Sequence, residues 1–395
     1  MHKLLIVNNI PGPYRTFMFQ KLHEVGKDYG VDVTVFFQAK GERRRSWKAE
    51  DFDMPFPHMY SKSLCRKKEK EFFSYFSLNL DLLREIRKHK YTWVVLAPYM
   101  CVGNWLLSVA PMKAKRILWS EGNVQKAVHM GFWSKLLKST LCKKYAYWAT
   151  PGIKAIEYLD TIRPGQSAKA TQLYLPNIVD SSAFRDHVAE LRTRREEIRQ
   201  ELGLVPGTPA LFAIGRLVEL KGFDQLIRAM AKLERPARLY LAGDGPQEEQ
   251  LRSLIAELSL EDRVVLLGEQ TPEQVQQWLA AADWFVHPAR RDCSPLVTVE
   301  AANAGVPMIL STQTGNTPEA VEEGVNGFTF DVDDLDSLVG ALNEALSLPQ
   351  DRVDEMGQES LRIAEEKFDP DTVVHDFFKT LLHDKTPNTA PSSPK

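Results

Sequence analysis

The sequence predicts an α/β protein built from two doubly wound domains in series. Two observations support this fold class: the length of the chain, and short apolar runs that alternate with helix-length segments throughout. At 395 residues the chain is long for a single hydrophobic core, so two domains are expected. Runs of Val, Ile, Leu and Phe separated by helices are typical of parallel sheets covered on both faces.

The alternation divides the chain near residue 180. Candidate strands of the N-terminal half span residues 4–9, 31–37, 92–97, 115–121, 145–150 and 171–176. The C-terminal half repeats the pattern in PALFAIG, RLYLAG, RVVLLG, DWFVHP and VPMILS, each followed by a plausible helix. The joint at LPNIVD (175–180) predicts domains at 1–180 and 181–365. The tail 386–395 lacks apolar residues and is predicted to be disordered.

Cysteine spacing and hydropathy indicate the cellular compartment in which the protein is expected. The four cysteines are far apart in the sequence and form no CxxC pair. This spacing argues against a disulfide framework or a structural zinc site and suits a reducing compartment. The N-terminal apolar run is too short for a signal sequence, and no segment reaches transmembrane length. A cytoplasmic location is therefore expected.

The two halves of the chain carry opposite charge. Residues 1–180 contain 29 Lys and Arg against 15 Asp and Glu, whereas residues 181–395 contain 21 against 37. The differences are +14 and −16, which sum to the formal net charge of −2. This asymmetry indicates a basic surface suited to nucleic acid, an anionic membrane or a phosphorylated substrate. Composition alone does not choose among the three.

The stretch HPARRDCSPLVTVEAANAGVP (287–307) predicts a phosphate-binding helix start. Ser294 followed by proline is a helix-start signal, because the hydroxyl can cap and proline suits the first helical position. The predicted helix spans 295–304. Its start leaves the N–H groups of Leu296 and Val297 unbonded, at the positive end of the helix dipole. The alternative is a purely structural helix cap, a feature that every helix needs.

Charged residues are predicted to surround this helix start. Glu300 lies four residues after Leu296 on the same face, and Asp292 lies in the preceding loop. In AIGRLVELKGFDQLI, Arg216 follows a strand and Lys221 precedes the next helix, so both are expected at the edge of the same sheet. There Arg offers phosphate a planar fork and Lys a compact charge. The alternative is a stray acid beside two solvated loop cations.

Four segments of the C-terminal half resemble a known enzyme family. GRLVELKGFDQLIRAM, LAGDGP, VVLLGEQ and PARRDCSPLVTVEAANAGVPMILS are similar, in order and spacing, to the retaining nucleotide-sugar glycosyltransferases of the GT-B fold, family four, the group 1 type. The similarity covers 205–365; over 1–180 it rests on NNIPGPYR, SEGN and LPNIVD. It implies two Rossmann-like domains facing each other across a cleft, the first for the acceptor and the second for the donor. A C-terminal helix (366–385) would cross back to the first domain.

The resemblance also implies roles for individual residues. Arg216 and Lys221 would hold the diphosphate of the donor, and Glu300 would accept hydrogen bonds from its ribose. Asp292 stands where the family's first motif acid, usually Glu, contacts the transferred sugar. Glu269 and Gln270 match the base-contacting position. The remaining donor-site candidates are Gly12, Ser294, Leu296 and Val297.

The mechanism that the resemblance implies is front-face transfer with retention of configuration. The cations and the helix start would stabilise the leaving diphosphate while the acceptor attacks from the same side, which is electrostatic catalysis. Protein cations, rather than a DxD motif in the cleft, are expected to meet the phosphates. No metal and no cofactor is therefore expected beyond the nucleotide-sugar co-substrate.

Two features of the N-terminal half bear on the acceptor. Glu121, in SEGN (120–123), ends a strand and is a candidate catalytic contact to the acceptor or donor sugar, or else a strand-end cap. MGFWSKLLKSTLCKKYAYW (130–148) suits an amphipathic helix on an anionic membrane and, equally, a core helix with a solvated lysine face. Basic clusters occur at 43–45 and 66–68. The side chains expected at a membrane are Phe132, Trp133, Tyr145, Tyr147, Lys135, Lys138, Lys143 and Lys144.

Three classes of function remain open at this point. The first is a hexosyltransferase that moves a sugar from a UDP- or GDP-sugar to a lipid-linked or polysaccharide acceptor, in the cytoplasm or at the cytoplasmic face of a membrane. The second is a nucleotide-sugar epimerase or phosphorylase on the same fold. The third is a non-catalytic nucleotide-sugar binder, favoured only by Asp292. Nucleic acid is not an expected partner, because no recognition module is present.

Overall fold

A computed structural model of the chain describes residues 1–41, 49–61, 80–97, 101–122 and 130–383. The expectations for 43–45, 66–68, Asn123 and the tail 386–395 concern residues outside these ranges. The chain divides into two compact units. One comprises Met1–Ile178 together with the segment that begins at Pro370, and the other is Val179–Asp369.

The N-terminal domain contains a seven-stranded parallel sheet. Its strands are β1 (His2–Asn8), β2 (Val31–Phe37), β3 (His58–Tyr60), β4 (Trp93–Leu96), β5 (Lys115–Trp119), β6 (Tyr147–Thr150) and β7 (Thr171–Tyr174). The helices described here are α1 (Pro13–Asp28), α2 (Leu80–His89), α3 (Val102–Val109), α4 (Phe132–Cys142) and α5 (Ile153–Ile162). The strand order β3-β2-β1-β4-β5-β6-β7 reverses direction between β1 and β4.

Residues of β1 explain why its sequence is a continuous apolar run. Leu4 and Ile6 join a buried cluster with side chains of α1, whereas Leu5 and Val7 join a second cluster with side chains of α2 to α5. Successive side chains of a strand point to opposite faces, so a strand covered on both faces needs apolar residues at every position. The N-terminal sheet therefore lies between two layers of helices.

The C-terminal domain contains a six-stranded parallel sheet of order β10-β9-β8-β11-β12-β13. Its strands are β8 (Ala210–Ile214), β9 (Arg238–Ala242), β10 (Val264–Gly268), β11 (Trp284–His287), β12 (Met308–Ser311) and β13 (Gly327–Phe330). Its helices are α6 (Ser181–Thr193), α7 (Arg195–Glu201), α8 (Phe223–Lys232), α9 (Glu248–Glu257), α10 (Pro272–Ala281), α11 (Leu296–Asn303), α12 (Thr317–Ala320), α13 (Leu335–Ser347) and α14 (Gln350–Lys367). Here the strand order reverses between β8 and β11.

The predicted fold class of two Rossmann-like α/β domains is confirmed. Two additional strands, β3 and β13, lie at sheet edges and are only three and four residues long. The second unit extends to Asp369, beyond the expected boundary at 365, because α14 continues as one helix to Lys367. Its first residue is Val179, two residues before the expected start at 181.

The last helix, α15 (Pro370–Leu382), packs on α1 and β7 of the N-terminal domain. Its buried face presents Val373, Val374, Phe377 and Phe378 to the β1 and α1 cluster. The ring of Phe378 stacks on Tyr29 with the centroids 5.6 Å apart. The N-terminal domain is thus assembled from both ends of the chain.

Gly222 allows the turn between β8 and α8 to lie against the loop after β11. Its φ is 68°, and a Cβ at this position would lie 2.0 Å from the carbonyl oxygen of Pro288. Only glycine adopts this left-handed conformation without steric cost, and only glycine leaves room for the neighbouring carbonyl. Gly222, which follows Lys221, therefore allows the two loops to approach each other this closely.

We expect Gly222→Ala to destabilise the protein more than Gly324→Ala. Both glycines have positive φ, 68° and 71°, but a Cβ at Gly324 would meet no atom within 4 Å. Both alanine variants carry the left-handed strain, whereas at 222 the backbone must also move. The additional loss in free energy of unfolding should be about 2 kcal/mol, measured by urea denaturation. Equal losses at the two sites would show that the close approach does not matter for stability.

Candidate active site

The loops after β8 and β11 meet at the carboxyl edge of the second sheet, where the strand order reverses. Open α/β sheets bind their ligands at this position. The Arg290 guanidinium donates to both carboxylate oxygens of Asp224 at 2.6 and 2.7 Å. Partial burial works to raise the pKa of Asp224, but Arg290 outweighs it and holds that pKa below its usual value. The Arg291 N–H also donates to the Leu220 carbonyl at 3.1 Å, so the two loops are braced together.

Asp292 is held by a cation and a buried imidazole. Lys221 Nζ donates to Asp292 Oδ2 at 2.5 Å, and His287 Nε2 lies 3.3 Å from the same oxygen. The Asp292 carbonyl accepts from the Gly315 N–H at 2.8 Å, which fixes the backbone as well. Burial alone would raise the pKa of Asp292, but the His287 hydrogen bond and the charge of Lys221 hold it well below its usual value. Asp292 is therefore ionised throughout the neutral range.

His287 is a residue of the candidate site that the sequence analysis missed. It ends β11, is fully buried, and has its pKa lowered by that burial. The neutral ring carries its proton on Nε2, where the Asp292 carboxylate accepts it, and Nδ1 has no partner among the described residues. Its position at the carboxyl end of the strand in DWFVHP was the available signal.

Helix α11 begins at Leu296 and so presents the expected open donors. Pro295 occupies the N-cap position without a side-chain cap, so the prediction that Ser294 caps the helix is wrong: Ser294 lies one residue too early. Over the described ranges, the N–H groups of Leu296 and Val297 have no acceptor. The helix start thus offers two amide donors and the positive end of its dipole.

Glu300 and Arg216 are the next two ionisable residues of the candidate site. Within the part of the chain that the structure describes, neither side chain makes a hydrogen bond or an ion pair. Glu300 is partly buried, and this loss of solvation raises the pKa of its carboxyl to about 7. Arg216 is exposed immediately after β8. A buried carboxyl without donors is costly, which favours a ligand that supplies them.

The two base-contacting candidates lie together at the carboxyl end of β10. Glu269 is exposed. The side chain of Gln270 is engaged by the protein: its Nε2 donates to the Leu267 carbonyl at 3.0 Å, and its Oε1 accepts from Trp278 Nε1 at 3.2 Å. Gln270 is therefore held in one orientation, and contact of either residue with a base stays a prediction.

The N-terminal candidates follow β5 and β1 in their own sheet. Arg15 donates to the Glu121 carboxylate, and its guanidinium lies 4.2 Å from the centroid of the Trp119 ring. Glu121 is thus a member of an ion pair rather than a strand-end cap. Gly12 is the N-cap of α1, where its carbonyl accepts the Thr16 N–H at 2.9 Å.

Two further properties concern the described residues as a whole. No three His, Cys, Asp or Glu side chains among them are grouped so that they could hold a metal ion. None of their helices combines the length and the apolar character needed to cross a bilayer.

Comparisons with known proteins show which family and which enzymes the C-terminal domain is similar to. Residues 194–361 match the family described as Glycosyl transferases group 1. N-acetyl-alpha-D-glucosaminyl L-malate synthase of Bacillus anthracis is 28% identical over 205 residues, 51% of this chain and 52% of that protein. A GDP-mannose-dependent alpha-(1-6)-phosphatidylinositol monomannoside mannosyltransferase of Mycobacterium tuberculosis is 32% identical over 194 residues, 47% of this chain and 49% of that protein. The matched part is thus about half of each relative's length.

A solved structure extends the similarity to both domains. The crystal structure of Anabaena Alr3699/HepE in complex with UDP and glucose is similar with a TM-score of 0.70. The similarity covers 97% of this chain and 100% of that one at 19% identity, a level that establishes the fold alone. The fold is therefore GT-B, made of two Rossmann-like α/β domains. Residues 194–361 of its C-terminal domain match the group 1 glycosyl transferases, which confirms the resemblance seen in the sequence.

The raised pKa of Glu300 makes stability depend on pH. The folded state binds this proton more tightly than the unfolded chain, so the contribution to stability is complete below pH 4.5 and is lost as the pH rises to about 7. Between acid and neutral pH, wild type should lose up to about 3 kcal/mol of unfolding free energy relative to Glu300→Gln, measured by urea denaturation. The exposed Glu257 provides the control variant, Glu257→Gln, which should track wild type. Parallel curves for wild type and Glu300→Gln would contradict the raised pKa.

Proposed function

We propose that the protein is a retaining, metal-independent hexosyltransferase that uses a UDP- or GDP-sugar as donor and a glycan or lipid-linked molecule as acceptor. The observation that carries this proposal is a set of uncommitted groups at one sheet edge of a group 1 glycosyl transferase domain. Within the described ranges the groups without a partner are the guanidinium of Arg216, the N–H groups at the start of α11, and the carboxyl of Glu300. A nucleotide-diphosphate sugar supplies a partner to each of them.

The diphosphate would bind the cations and the helix start. Arg216 has no partner among the described residues, so its planar fork is available for two phosphate oxygens. Lys221 donates one hydrogen bond to Asp292, and an ammonium group has three donors, so two remain for phosphate. The N–H groups of Leu296 and Val297 add neutral donors where the helix dipole favours an anion. Together these groups would balance the charge of the leaving diphosphate.

The two acids would bind the hydroxyl groups of the donor. Ribose hydroxyls would donate to Glu300, which removes the cost of leaving its carboxyl unpaired. Asp292, ionised and fixed between Lys221 and His287, would accept from hydroxyls of the transferred sugar. Asp is one methylene shorter than the usual Glu, and the His287 hydrogen bond keeps that shorter carboxylate in a fixed position. We assign His287 as a positioning residue.

The transfer step would proceed on one face of the sugar. The bond between the anomeric carbon and the diphosphate oxygen breaks, and the diphosphate keeps the electron pair. The acceptor hydroxyl attacks the same face, forms the new glycosidic bond and gives its proton to the departing phosphate oxygen. Catalysis would come from fixed donors aimed at the charge that develops on the diphosphate.

The relatives inform the choice of donor and acceptor. The Mycobacterium relative is named for a GDP-mannose donor and a phosphatidylinositol monomannoside acceptor, and the Anabaena crystal contains UDP and glucose. These names favour a nucleotide-sugar donor and a lipid-linked acceptor. A lipid-linked acceptor in turn favours a peripheral position at the cytoplasmic face of a membrane. An epimerase, a phosphorylase or a non-catalytic binder remains the alternative and is separated by the product formed.

Arg216→Ala and Lys221→Ala should each weaken nucleotide binding while the protein stays folded. Loss of a charge-assisted contact to the diphosphate should cost about 1.5–3 kcal/mol of binding free energy, roughly 10- to 100-fold in affinity. Calorimetry with UDP and GDP measures it. Arg228 is exposed on α8, so Arg228→Ala is the matched control and should bind like wild type. Unchanged affinity in both site variants would refute the donor site.

Sugar transfer should survive chelation of divalent metals. With labelled UDP- and GDP-sugars, and with a membrane lipid extract or a glycan mixture as acceptor, the sugar should appear on the acceptor in the presence of EDTA. The reason is that protein cations, rather than a metal, are proposed to balance the diphosphate. Asp292→Asn combined with Glu300→Gln should abolish transfer. Loss of turnover with EDTA and recovery with magnesium would disprove metal independence, and release of free sugar or sugar phosphate would identify one of the alternative enzymes.

A further inference from the structure

Helices α3 and α4 of the N-terminal domain expose an unusual number of large apolar side chains. On α4, Phe132 is 71% exposed, Trp133 77%, Leu136 49% and Leu137 40%. On α3, which contacts α4, Leu106 is 50% and Val109 55% exposed. Elsewhere in the described ranges, large apolar side chains with comparable exposure are isolated: Met1, Tyr14 and Leu220. Contiguous exposed apolar patches mark interaction sites.

The exposed apolar face of α4 lies opposite a face that anchors the helix. Side chains at 132, 133, 136 and 137 fall within one arc, because each residue advances the helix by about 100°. Lys138, Leu141 and Cys142 lie on the other side and are buried. Cys142 belongs to the core cluster that covers the N-terminal sheet. The helix is therefore packed in place by its buried face, and among the described residues its apolar outer face stays exposed.

The charge around this patch is strongly positive. Residues 101–122 and 130–148 contain a single acid, Glu121, and that carboxylate is paired with Arg15. The same ranges contain the cations Lys113, Lys115, Arg116, Lys135, Lys138, Lys143 and Lys144. Among them Lys135, Lys143 and Lys144 are exposed next to the patch and have no ion-pair partner within the described ranges. An anionic surface would supply the missing negative charge.

We propose that the apolar side chains of α3 and α4, with Lys135, Lys143 and Lys144, form a docking surface for an anionic lipid bilayer. We call it the α3–α4 surface. Phe and Trp at the start of α4 suit the boundary between headgroups and acyl chains, and the lysines suit anionic headgroups. The absence of acids beside the apolar residues, within those ranges, favours a uniformly anionic partner. The proposal extends the membrane position in the proposed function by naming the surface responsible.

The structure corrects which side chains take part. Tyr145 and Tyr147 are buried, so the expectation that they face a membrane is wrong. Lys138 is also buried, and its Nζ donates to the Tyr158 hydroxyl at 3.4 Å. Leu136 and Leu137, which the sequence analysis did not single out, are exposed instead. A test must therefore leave Lys138 unchanged, because charge reversal there would damage the core.

The test is vesicle co-sedimentation of the full chain with phosphatidylglycerol-rich and pure phosphatidylcholine vesicles. Wild type should bind the anionic vesicles, bind more weakly at high salt, and bind the neutral vesicles poorly. Reversing Lys135, Lys143 and Lys144 to Glu should reduce binding at least roughly a hundredfold, from about fivefold per lysine. Phe132→Ser with Trp133→Ser should reduce it at least about tenfold. Reversing the exposed Lys27, Lys88 and Lys169 changes the net charge equally and should have the smaller effect.

Each outcome decides one proposal. Wild type that ignores anionic vesicles at low salt overturns the α3–α4 surface, as does equal loss in the two lysine triples. A wild-type dimer in light scattering that Phe132→Ser with Trp133→Ser converts to monomer, without vesicle binding, assigns the patch to a second copy and also overturns it. All variants of the α3–α4 surface should keep the wild-type melting temperature and nucleotide affinity. If Arg216→Ala and Lys221→Ala bind nucleotide like wild type while vesicle binding is intact, the proposed function alone is refuted.

Discussion

The site depends on the close approach of two loops, the turn after β8 and the segment after β11. Gly222 removes the side chain that would prevent it, because its Cβ would fall 2.0 Å from the carbonyl oxygen of Pro288. The double hydrogen bond between Arg290 and Asp224 then holds the loops together. Once they are in contact, Lys221 reaches Asp292 although the two are 71 residues apart in the chain. The close approach of the two backbone segments thus makes the ion pair between Lys221 and Asp292 possible.

The electrostatics of the site separate its two acids. Asp292 has a cation and a hydrogen-bond donor, so it keeps its charge despite burial. Among the described residues Glu300 has neither, and burial raises its pKa to about 7. A pair of acids whose environments push their pKa values apart is a common mark of functional sites. Here the difference arises because Asp292 lies beside His287 and Lys221, whereas burial acts on Glu300 without a compensating neighbour among the described residues.

Much of the fold was predictable because parallel sheets buried on both faces produce a clear pattern of apolar residues in the sequence. A strand such as β1 must be apolar at every position, and the helices between strands have regular lengths. The edge strands β3 and β13 were missed because three or four residues that are covered less completely carry little pattern. The end of the second domain was placed too early because α14 and α15 follow each other with almost no loop.

The residues of the candidate site were predictable where a sequence motif puts them at the end of a strand. Lys221 and Asp292 were both named from the sequence, but their pairing depends on loop contacts that no local pattern encodes. His287 and the Arg290–Asp224 brace were missed for the same reason. On α4 the sequence could not decide which face is buried: both faces contain apolar residues, and only packing shows that Lys138 points inward and Trp133 outward.

The position of α15 has a consequence for how the molecule is made. Since Val374 and Phe378 complete the core around β1 and α1, the whole C-terminal domain is an insertion between two parts of the N-terminal one. During synthesis residues 1–178 emerge before the segment that begins at Pro370, so the first domain lacks α15 until the inserted domain has also been made. The inserted domain, Val179–Asp369, is contiguous and can complete its own core earlier. The order of folding is therefore expected to run against the order of translation.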